Sequence, residues 1–358
     1  MAFPRFYEYV GAFHLHSQFS DGSLSIPEIA SIAKEVGLDF LMFTDHNTLA
    51  PKFQGFEGWY DRVLVLIGCE LNDEDDRNHY LAFRLNQEIP KRIAGKAERY
   101  VQWVKKMGGF GIIAHPAEKR NFSEAYPPYP WTAWEVDGFD GIEIWNQMSE
   151  WLEGITYRNV FWRIFHPLRS IRFPVWETLE RWDYFNRTRR VVGVGGIDVH
   201  AFPVKLLGFI SLEIYPYKVQ FKSLRLHVLT RGPWFQKGKP VPFFRAEAMV
   251  FEALQSARVY IVNYSIGEGR GFRFWAEGNA RSFFMGERIP FRGNAFRFCA
   301  EAPLSGDIRL LCNGKVIAQR KGKTIQYTAK DPGVYRIEIF RKKRGWIYSN
   351  PIVLYDEA

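Results

Sequence analysis

Five buried-type apolar segments of this chain each run directly into a string of histidine and carboxylate residues, and that repeated placement restricts the fold more than any other feature. Tyr9 to His16 reads as a strand carrying His14 and His16, two positions apart and so on one face of the pleat, with Asp21 just beyond. Asp39 to Thr44 runs into Asp45-His46, Val63 to Cys69 into Glu70, Phe110 to Ala114 into His115, and Val191 to Ile197 into Asp198-Val199-His200. His79 opens a further short strand pattern, His79 to Leu85, after the acidic run Asp73-Glu74-Asp75-Asp76. Six of the eight histidines fall in these strings. Chemistry-bearing residues at the C-terminal ends of successive strands are what a barrel of parallel strands gathers at one face.

Helical patterns separate the strands. Ser25 to Val36 has a capping box in Ser25 and Glu28, Pro27 in its first turn and Gly37 as its stop, with Ile26, Ile29, Ala33 and Val36 as the apolar stripe. Ala97 to Met107 is a second helix, ended by Gly108-Gly109. Phe251 to Ala257 reads as a last helix, followed by a strand over Arg258 to Val262. Alternating strand and helix implies α/β architecture.

At 358 residues the chain exceeds the size at which one core stops growing, so two domains are expected. The texture changes after Gly267-Glu268-Gly269 to short alternating strands with turn signals at Asn313-Gly314 and Asp331-Pro332-Gly333. The expected division is an α/β domain over 1–265 and a small antiparallel β-sandwich over 266–358. Residues 147–190 form an aromatic-rich helical excursion whose tryptophans, Trp151, Trp162, Trp176 and Trp182, are expected to serve helix packing.

Histidine, aspartate and glutamate without cysteine suit divalent Mn, Fe or Zn and argue against a thiolate zinc site. Nine such side chains are too many for one ion, and a carboxylate such as Glu70 can bridge two, so two or three metals are expected. Asp45, beside His46, reads as an orienting hydrogen-bond partner rather than a ligand, and Glu143 and Asn146 as supporting or rim groups. His166 and His227 match no string and read as ordinary structural or surface residues.

Three cysteines form no disulfide framework, which with the lack of a signal-peptide pattern points to the cytoplasm. No apolar stretch reaches membrane-spanning length. The net charge of +9 is compatible with an anionic substrate, although an ordinary basic surface is the simpler explanation. A nucleic-acid partner is not favoured: Arg341-Lys342-Lys343-Arg344 reads as a solvated hairpin tip. Homo-oligomerisation is left open.

Taken as a set, His14-x-His16 with Ser20-Asp21-Gly22, Thr44-Asp45-His46, Gly68-x-Glu70, Ala114-His115-Pro116 and Gly196-Ile197-Asp198-Val199-His200 resemble the PHP (polymerase and histidinol phosphatase) metallohydrolase superfamily, in that family's order and over the first two thirds of the chain. The string Arg344-Gly345-Trp346-Ile347-Tyr348-Ser349-Asn350-Pro351 is similar to the tail of PHP proteins of the carbaryl-hydrolase (CehA/McbA) type. The resemblance implies a distorted (β/α)7 barrel with three metals at the strand C-termini. It implies that His14, His16, Glu70 and Asp198 hold one metal, that Glu70 bridges to a second held by His79 and His115, and that Asp21, His46 and His200 hold a third. Asp21 stands where some members have histidine, a harder ligand that favours Mn or Fe over Zn.

The expected activity is metal-dependent hydrolysis by a metal-bridging hydroxide, first of all on a small phosphoester or nucleotide. Asp198, Glu70 and His200 are the expected catalytic residues, and Lys119, Arg120 and Lys205 the candidate clamps on an anionic substrate. The alternatives are carbamate or carboxylic ester hydrolysis, suggested by the C-terminal string, and a metal-stabilised scaffold whose β domain binds a partner.

Overall fold

The computed structural model describes residues 6–90, 93, 95–120, 127–206 and 210–356, with the side chains of 202–206 and 210–212 outside the description. The fold is mixed α/β. The chain forms two compact units, one of Val10–Arg172 with Gly195–Arg225, the other of Met1–Tyr9, Phe173–Val194 and Leu226–Ala358. Compactness thus groups residues 226–265 with the C-terminal strands, because Tyr260, Ile261 and Val262 pair antiparallel with Ser349, Tyr348 and Ile347. The expected 265/266 division followed composition instead.

The strands of the first unit include β1 (Tyr7–Leu15, entering at Val10), β2 (Phe40–Phe43), β3 (Gly58–Tyr60), β4 (Val63–Ile67), β5 (Cys69–Leu71), β6 (Tyr80–Phe83), β7 (Phe110–Ile113) and β8 (Gly141–Asn146), with a later hairpin of Phe202–Leu206 and Ile210–Ile214. β1, β2 and β4 are parallel neighbours, with β3 antiparallel at the edge. All residues of β2, β4, β6, β7 and β8 are buried, which matches their continuous apolar character. The sheet differs from the all-parallel expectation at β5–β6 and β6–β7, which are antiparallel. The connection between Leu71 and Tyr80 is too short for a crossover, so the chain returns as a hairpin, whereas β7 and β8 are parallel.

The helix Ile26–Glu35 follows the capping signal closely: the Ser25 N–H donates to Glu28 Oε2 at 2.9 Å, and Ile26, Ile29, Ala30 and Ala33 are buried. The helix Ala97–Lys106 buries Tyr100, Val101 and Val104, and the Tyr100 hydroxyl donates to the Asn78 carbonyl just before His79. Of the four tryptophans in 147–190, Trp151 and Trp182 are buried on helices as expected, whereas Trp162 and Trp176 are exposed and do no packing of that kind.

In the second unit the last helix begins earlier than periodicity suggests, running Phe243–Gln255 from Pro242, and buries Ala246, Val250, Phe251, Ala253 and Leu254. Long strands Phe296–Cys312 and Lys315–Ala329 form the expected hairpin, and Asn313 and Gly314 both take positive φ, 50° and 80°. Lys342 and Lys343 form the exposed two-residue turn between strands Gly333–Arg341 and Arg344–Ser349, as the basic run suggested. Trp346 is fully buried, and the Asn350 amide donates to the carbonyls of Gly193 and Val259 at 2.8 Å each while its oxygen accepts from the Gly193 N–H. The tail string 344–351 therefore has a packing role in this unit.

A buried ion triad also belongs to the second unit. The Arg336 Nε–H donates to Asp183 Oδ1 at 2.8 Å, and Nη1 donates to Glu338. Arg336→Ala should cost about 3–5 kcal/mol of stability, because it strands two buried carboxylates. Chemical denaturation checks this, and a loss under about 1 kcal/mol would mean the carboxylates find water.

Candidate metal centre

The chelating side chains converge because of local backbone features that the pleat alone does not supply. The β1–β2 register shifts between Phe13 and Leu15, so His14 occupies a bulge, and its φ is 65°. Asp198 (φ 57°) and His115 (φ 26°) also take positive φ. Non-glycine residues there cost about 1–3 kcal/mol each and cluster where function holds them. The Ile197 and Asp198 N–H groups donate to the Phe13 and His14 carbonyls at 2.9 and 2.8 Å, and His16 N–H donates back to Val199 at 3.2 Å. These bonds lock the two strings together. Two glycines permit close approach: a Cβ at Gly196 would lie 1.7 Å from Glu143 Oε1, and one at Gly22 would lie 2.5 Å from the His16 carbonyl oxygen.

Glu70 is the hub. Its Oε2 lies 3.0 Å from His14 Nε2, 3.2 Å from His16 Nε2 and 3.6 Å from His46 Nδ1. Its Oε1 lies 2.7 Å from His79 Nδ1 and 3.1 Å from His115 Nε2. Asp198 Oδ1 is 3.3 Å from His16 Nε2 and 3.5 Å from His14 Nε2. Asp21 reaches His200 Nε2 at 3.2 Å and His46 Nε2 and His16 Nδ1 at 3.6 Å each. Three groups emerge whose ligand atoms lie within 4.8 Å of one another: His14, His16, Glu70 and Asp198; His16, Asp21, His46 and His200; and His46, Glu70 and His79. The first is the set the motifs implied. The third holds His46 where the resemblance implied His115, and the second adds His16 to the implied Asp21, His46 and His200, so His16 and His46 each present their two ring nitrogens to different groups.

The donor chemistry fits metal ions. His14 Nδ1 is 2.9 Å from Glu143 Oε1 and His200 Nδ1 is 3.0 Å from the Asp198 carbonyl oxygen. Each contact has Nδ1 donating to a fixed acceptor and aims Nε2 at the cluster, the arrangement that orients metal-binding histidines once an ion takes the place of the Nε2 proton. Both ring nitrogens of His16, Nε2 of His79 and Nδ1 of His115 are buried without an aligned hydrogen bond, although carboxylate oxygens lie 3.2–3.4 Å from His16 Nε2 and His79 Nε2.

Electrostatics point the same way. Burial opposes charge on His14, yet Glu143, Asp198 and Glu70 outweigh it and raise the imidazole well above its ordinary range. Against the same opposition from burial, Asp198 and Glu70 push His16 up to about 9, and Glu70 and Asp76 push His79 up to about 10. His46 goes down to about 4 because burial dominates there. Burial would raise Glu70 and Asp198, but the surrounding imidazoles hold both carboxylates well below their usual range. Asp21 is lowered to about 2, where His200 outweighs burial. A buried cluster that draws protons onto its histidines in this way is short of positive charge, which divalent cations supply.

The cluster opens into a cavity of about 430 Å³. Asp21, His46, Glu70, His79, His115, Asp198 and His200 all line it. Of the three candidate clamps, Arg120 lines the cavity; Lys119 is exposed and does not; the Lys205 side chain lies outside the described residues. Asp45 is no ligand. It accepts from the Ser17 N–H and hydroxyl at 2.8 Å each and from the Ser20 hydroxyl at 2.7 Å, bracing the turn between His16 and Asp21. Glu143 supports the shell through His14 and through the His115 N–H at 2.8 Å, and the Asn146 amide donates to both Glu143 (3.0 Å) and Asp198 (3.4 Å).

Sequence reasoning missed Asp76, 3.4 Å from His79 Nε2, and the pocket residues Asn47, Asn72, Tyr129, Met148 and Leu152. The acidic run hinted at Asp76; the others carry no pattern. His227 is buried against Glu8 Oε1 at 2.7 Å in the second unit, a structural residue as expected.

Residues 12–113 match the family model described as the PHP domain. The match ends before His115 and the Asp198 string, whose placement here rests on geometry. Over 146 residues the chain is 26% identical to the uncharacterized protein MJ1587 of Methanocaldococcus jannaschii, covering 37% of this chain and 79% of that protein. Among solved structures it is similar to a two-domain protein containing a predicted PHP-like metal-dependent phosphoesterase from Bacteroides vulgatus, at 15% identity and TM-score 0.48, covering 97% of this chain and 95% of that one. It is also similar to an amidohydrolase from Chromobacterium violaceum, at 14% identity and TM-score 0.32, covering 53% and 87%.

Proposed function

From the match of residues 12–113 to the PHP domain model, we propose a metal-dependent hydrolase, and first of all a phosphoesterase acting on a small phosphoester. The observation that carries this reading is the convergence of three overlapping chelating groups on the cavity, with a guanidinium on its wall. The same reading takes residues 1–265 as a distorted (β/α)7 barrel and 266–358 as an accessory β-sandwich.

His14, His16, Asp21, His46, Glu70, His79, His115, Asp198 and His200 would hold two or three divalent ions, Mn, Fe or Zn. When bound, such ions supply an activated water near neutral pH and charge stabilisation of the ester oxygens. The chain's own residues do the rest. Asp198, buried and flanked by His14, His16 and His200, accepts the proton of the attacking water. Glu70 fixes the spacing of the five surrounding imidazoles. His200, on the cavity wall, aligns the substrate oxygen, and Arg120 holds an anionic oxygen of the substrate.

The test is turnover by Mn-loaded protein on an aryl phosphomonoester, an aryl phosphodiester and an aryl methylcarbamate, with Asp198→Ala as control. Phosphoester hydrolysis that falls by about 10³-fold or more in the variant is expected. Hydrolysis of the carbamate alone would move the protein to carbamate chemistry, and no turnover by a metal-replete protein would leave a metal-stabilised scaffold.

A further inference from the structure

The wall of the cavity contains an arrangement that none of the chelating strings includes. The Glu118 carboxylate, with no exposed side-chain surface, gathers three chain segments. Its Oε1 accepts from Arg120 Nη2 at 2.7 Å and from the Ser149 hydroxyl at 2.8 Å, and its Oε2 accepts from the Tyr129 N–H at 2.9 Å. Ser149 lies on the helix Gln147–Glu153, which also supplies Met148 and Leu152 to the cavity. The Arg120 guanidinium sits 4.8 Å from the centroid of the Tyr129 ring, which stacks on His79 at 5.1 Å. Among the described residues Arg120 is the one lysine or arginine on this wall, and its Nε is buried without a hydrogen-bond partner.

A ligand oxygen in the cavity can accept from a guanidinium on its wall, and such a charge-assisted bond is stronger than a neutral one. Met148, almost wholly buried, and Leu152, partly exposed, give the same cavity an apolar stretch of wall. A cavity of about 430 Å³ lies in the small-ligand range.

We infer that the cavity takes a small ester whose anionic oxygen bonds Arg120 and whose non-reacting group is compact and apolar, seated on Met148 and Leu152, and that Glu118 is the positioning residue that fixes both parts of this wall. The inference rests on the hydrolase reading above and narrows its substrate. Glu118 touches no substrate; it acts through Arg120, Tyr129 and the helix bearing Ser149.

The experiment is calorimetric titration of the metal-loaded protein with phenylphosphonate and methylphosphonate, two probes that are not hydrolysed. Phenylphosphonate should bind about tenfold or more tightly than methylphosphonate, from burial of the ring. Arg120→Ala and Glu118→Ala should each weaken phenylphosphonate by about tenfold or more. The double substitution should fall well short of the product of the two, because Glu118 acts largely through Arg120. Glu118→Gln, which keeps one acceptor oxygen, should recover part of the loss, and it carries the comparison if Glu118→Ala loses its metal or its fold. In turnover of phenyl phosphate the loss should appear in KM rather than kcat.

Equal binding of the two phosphonates by the wild-type protein would overturn the apolar part, and full-strength binding by Arg120→Ala the anionic part. Losses that multiply independently, or a loss confined to kcat, would overturn the role of Glu118. Failure of the wild-type protein to bind either probe would overturn the whole inference. Binding without hydrolysis of any phosphate ester would leave it standing and remove the phosphoesterase reading instead.

Discussion

Glu70→Ala should remove most of the bound metal and lower turnover on the order of a thousandfold or more. The Glu70 carboxylate lies within 4 Å of five imidazole nitrogens: one oxygen faces His14, His16 and His46, and the other faces His79 and His115. Without it, five imidazoles converge on a void, and the carboxylate charge that offsets the metal is gone. The backbone should survive, because the Glu70 N–H donates to the Asp45 carbonyl at 3.1 Å and the Glu70 carbonyl accepts from the Asn47 N–H at 2.8 Å, neither bond needing the side chain. Glu70→Gln keeps the shape and loses the charge, so it separates packing from electrostatics and should also lose metal. Metal content by elemental analysis, read beside kcat/KM, checks both variants. A Glu70→Ala protein that keeps its full metal complement and turns over within about tenfold of normal would place the metals elsewhere.

Removing the metals with a chelator should lower the melting temperature by about 10 °C, with recovery when Mn is returned. A ligand present at a thousand times its Kd adds about 4 kcal/mol to the folded state, and about 1 kcal/mol shifts the midpoint of a unit this size by roughly 2–4 °C. The structural reason lies in the cluster itself. His14, His16 and Glu70 are almost wholly buried, and several of the histidine nitrogens have no aligned hydrogen bond. Positive φ at His14, His115 and Asp198 adds backbone cost to the same loops. Both terms weigh against the folded state until cations fill the cluster. Calorimetry with verified metal removal is the measurement. An unchanged midpoint in the stripped protein would mean that hydrogen bonds alone stabilise these side chains.

Much of this site is legible in the chain before any coordinates. Strings such as Asp198-Val199-His200 follow apolar strand patterns, and a strand end is a fixed point in space whose neighbours are also strand ends. The bracing of the His16–Asp21 turn by Asp45 fits the expectation that an aspartate beside such a histidine orients its neighbours. The wall of the cavity was not legible. Lys119 and Arg120 are adjacent and both cationic, yet of the two only Arg120 lines the cavity. Met148 and Leu152 look like any apolar pair on a short helix, and Trp162 and Trp176 look like core residues although they are exposed. Side-chain direction in a loop or on a short helix depends on what lies across from it, and no local pattern encodes that.

The sequence by itself determined the chemistry: which residues can chelate, that they terminate buried strands, that Ser25 and Glu28 cap a helix, and that Asn313-Gly314 turns a hairpin. These follow from periodicities and backbone preferences acting within a few residues. Only the tertiary structure decided the geometry. The bulge at His14, the antiparallel course of β5 to β7, the central place of Glu70 and the gathering of the wall by Glu118 each depend on contacts between segments distant in sequence. Such contacts are fixed by close packing and by the pairing of buried polar groups, conditions that the whole unit must satisfy together.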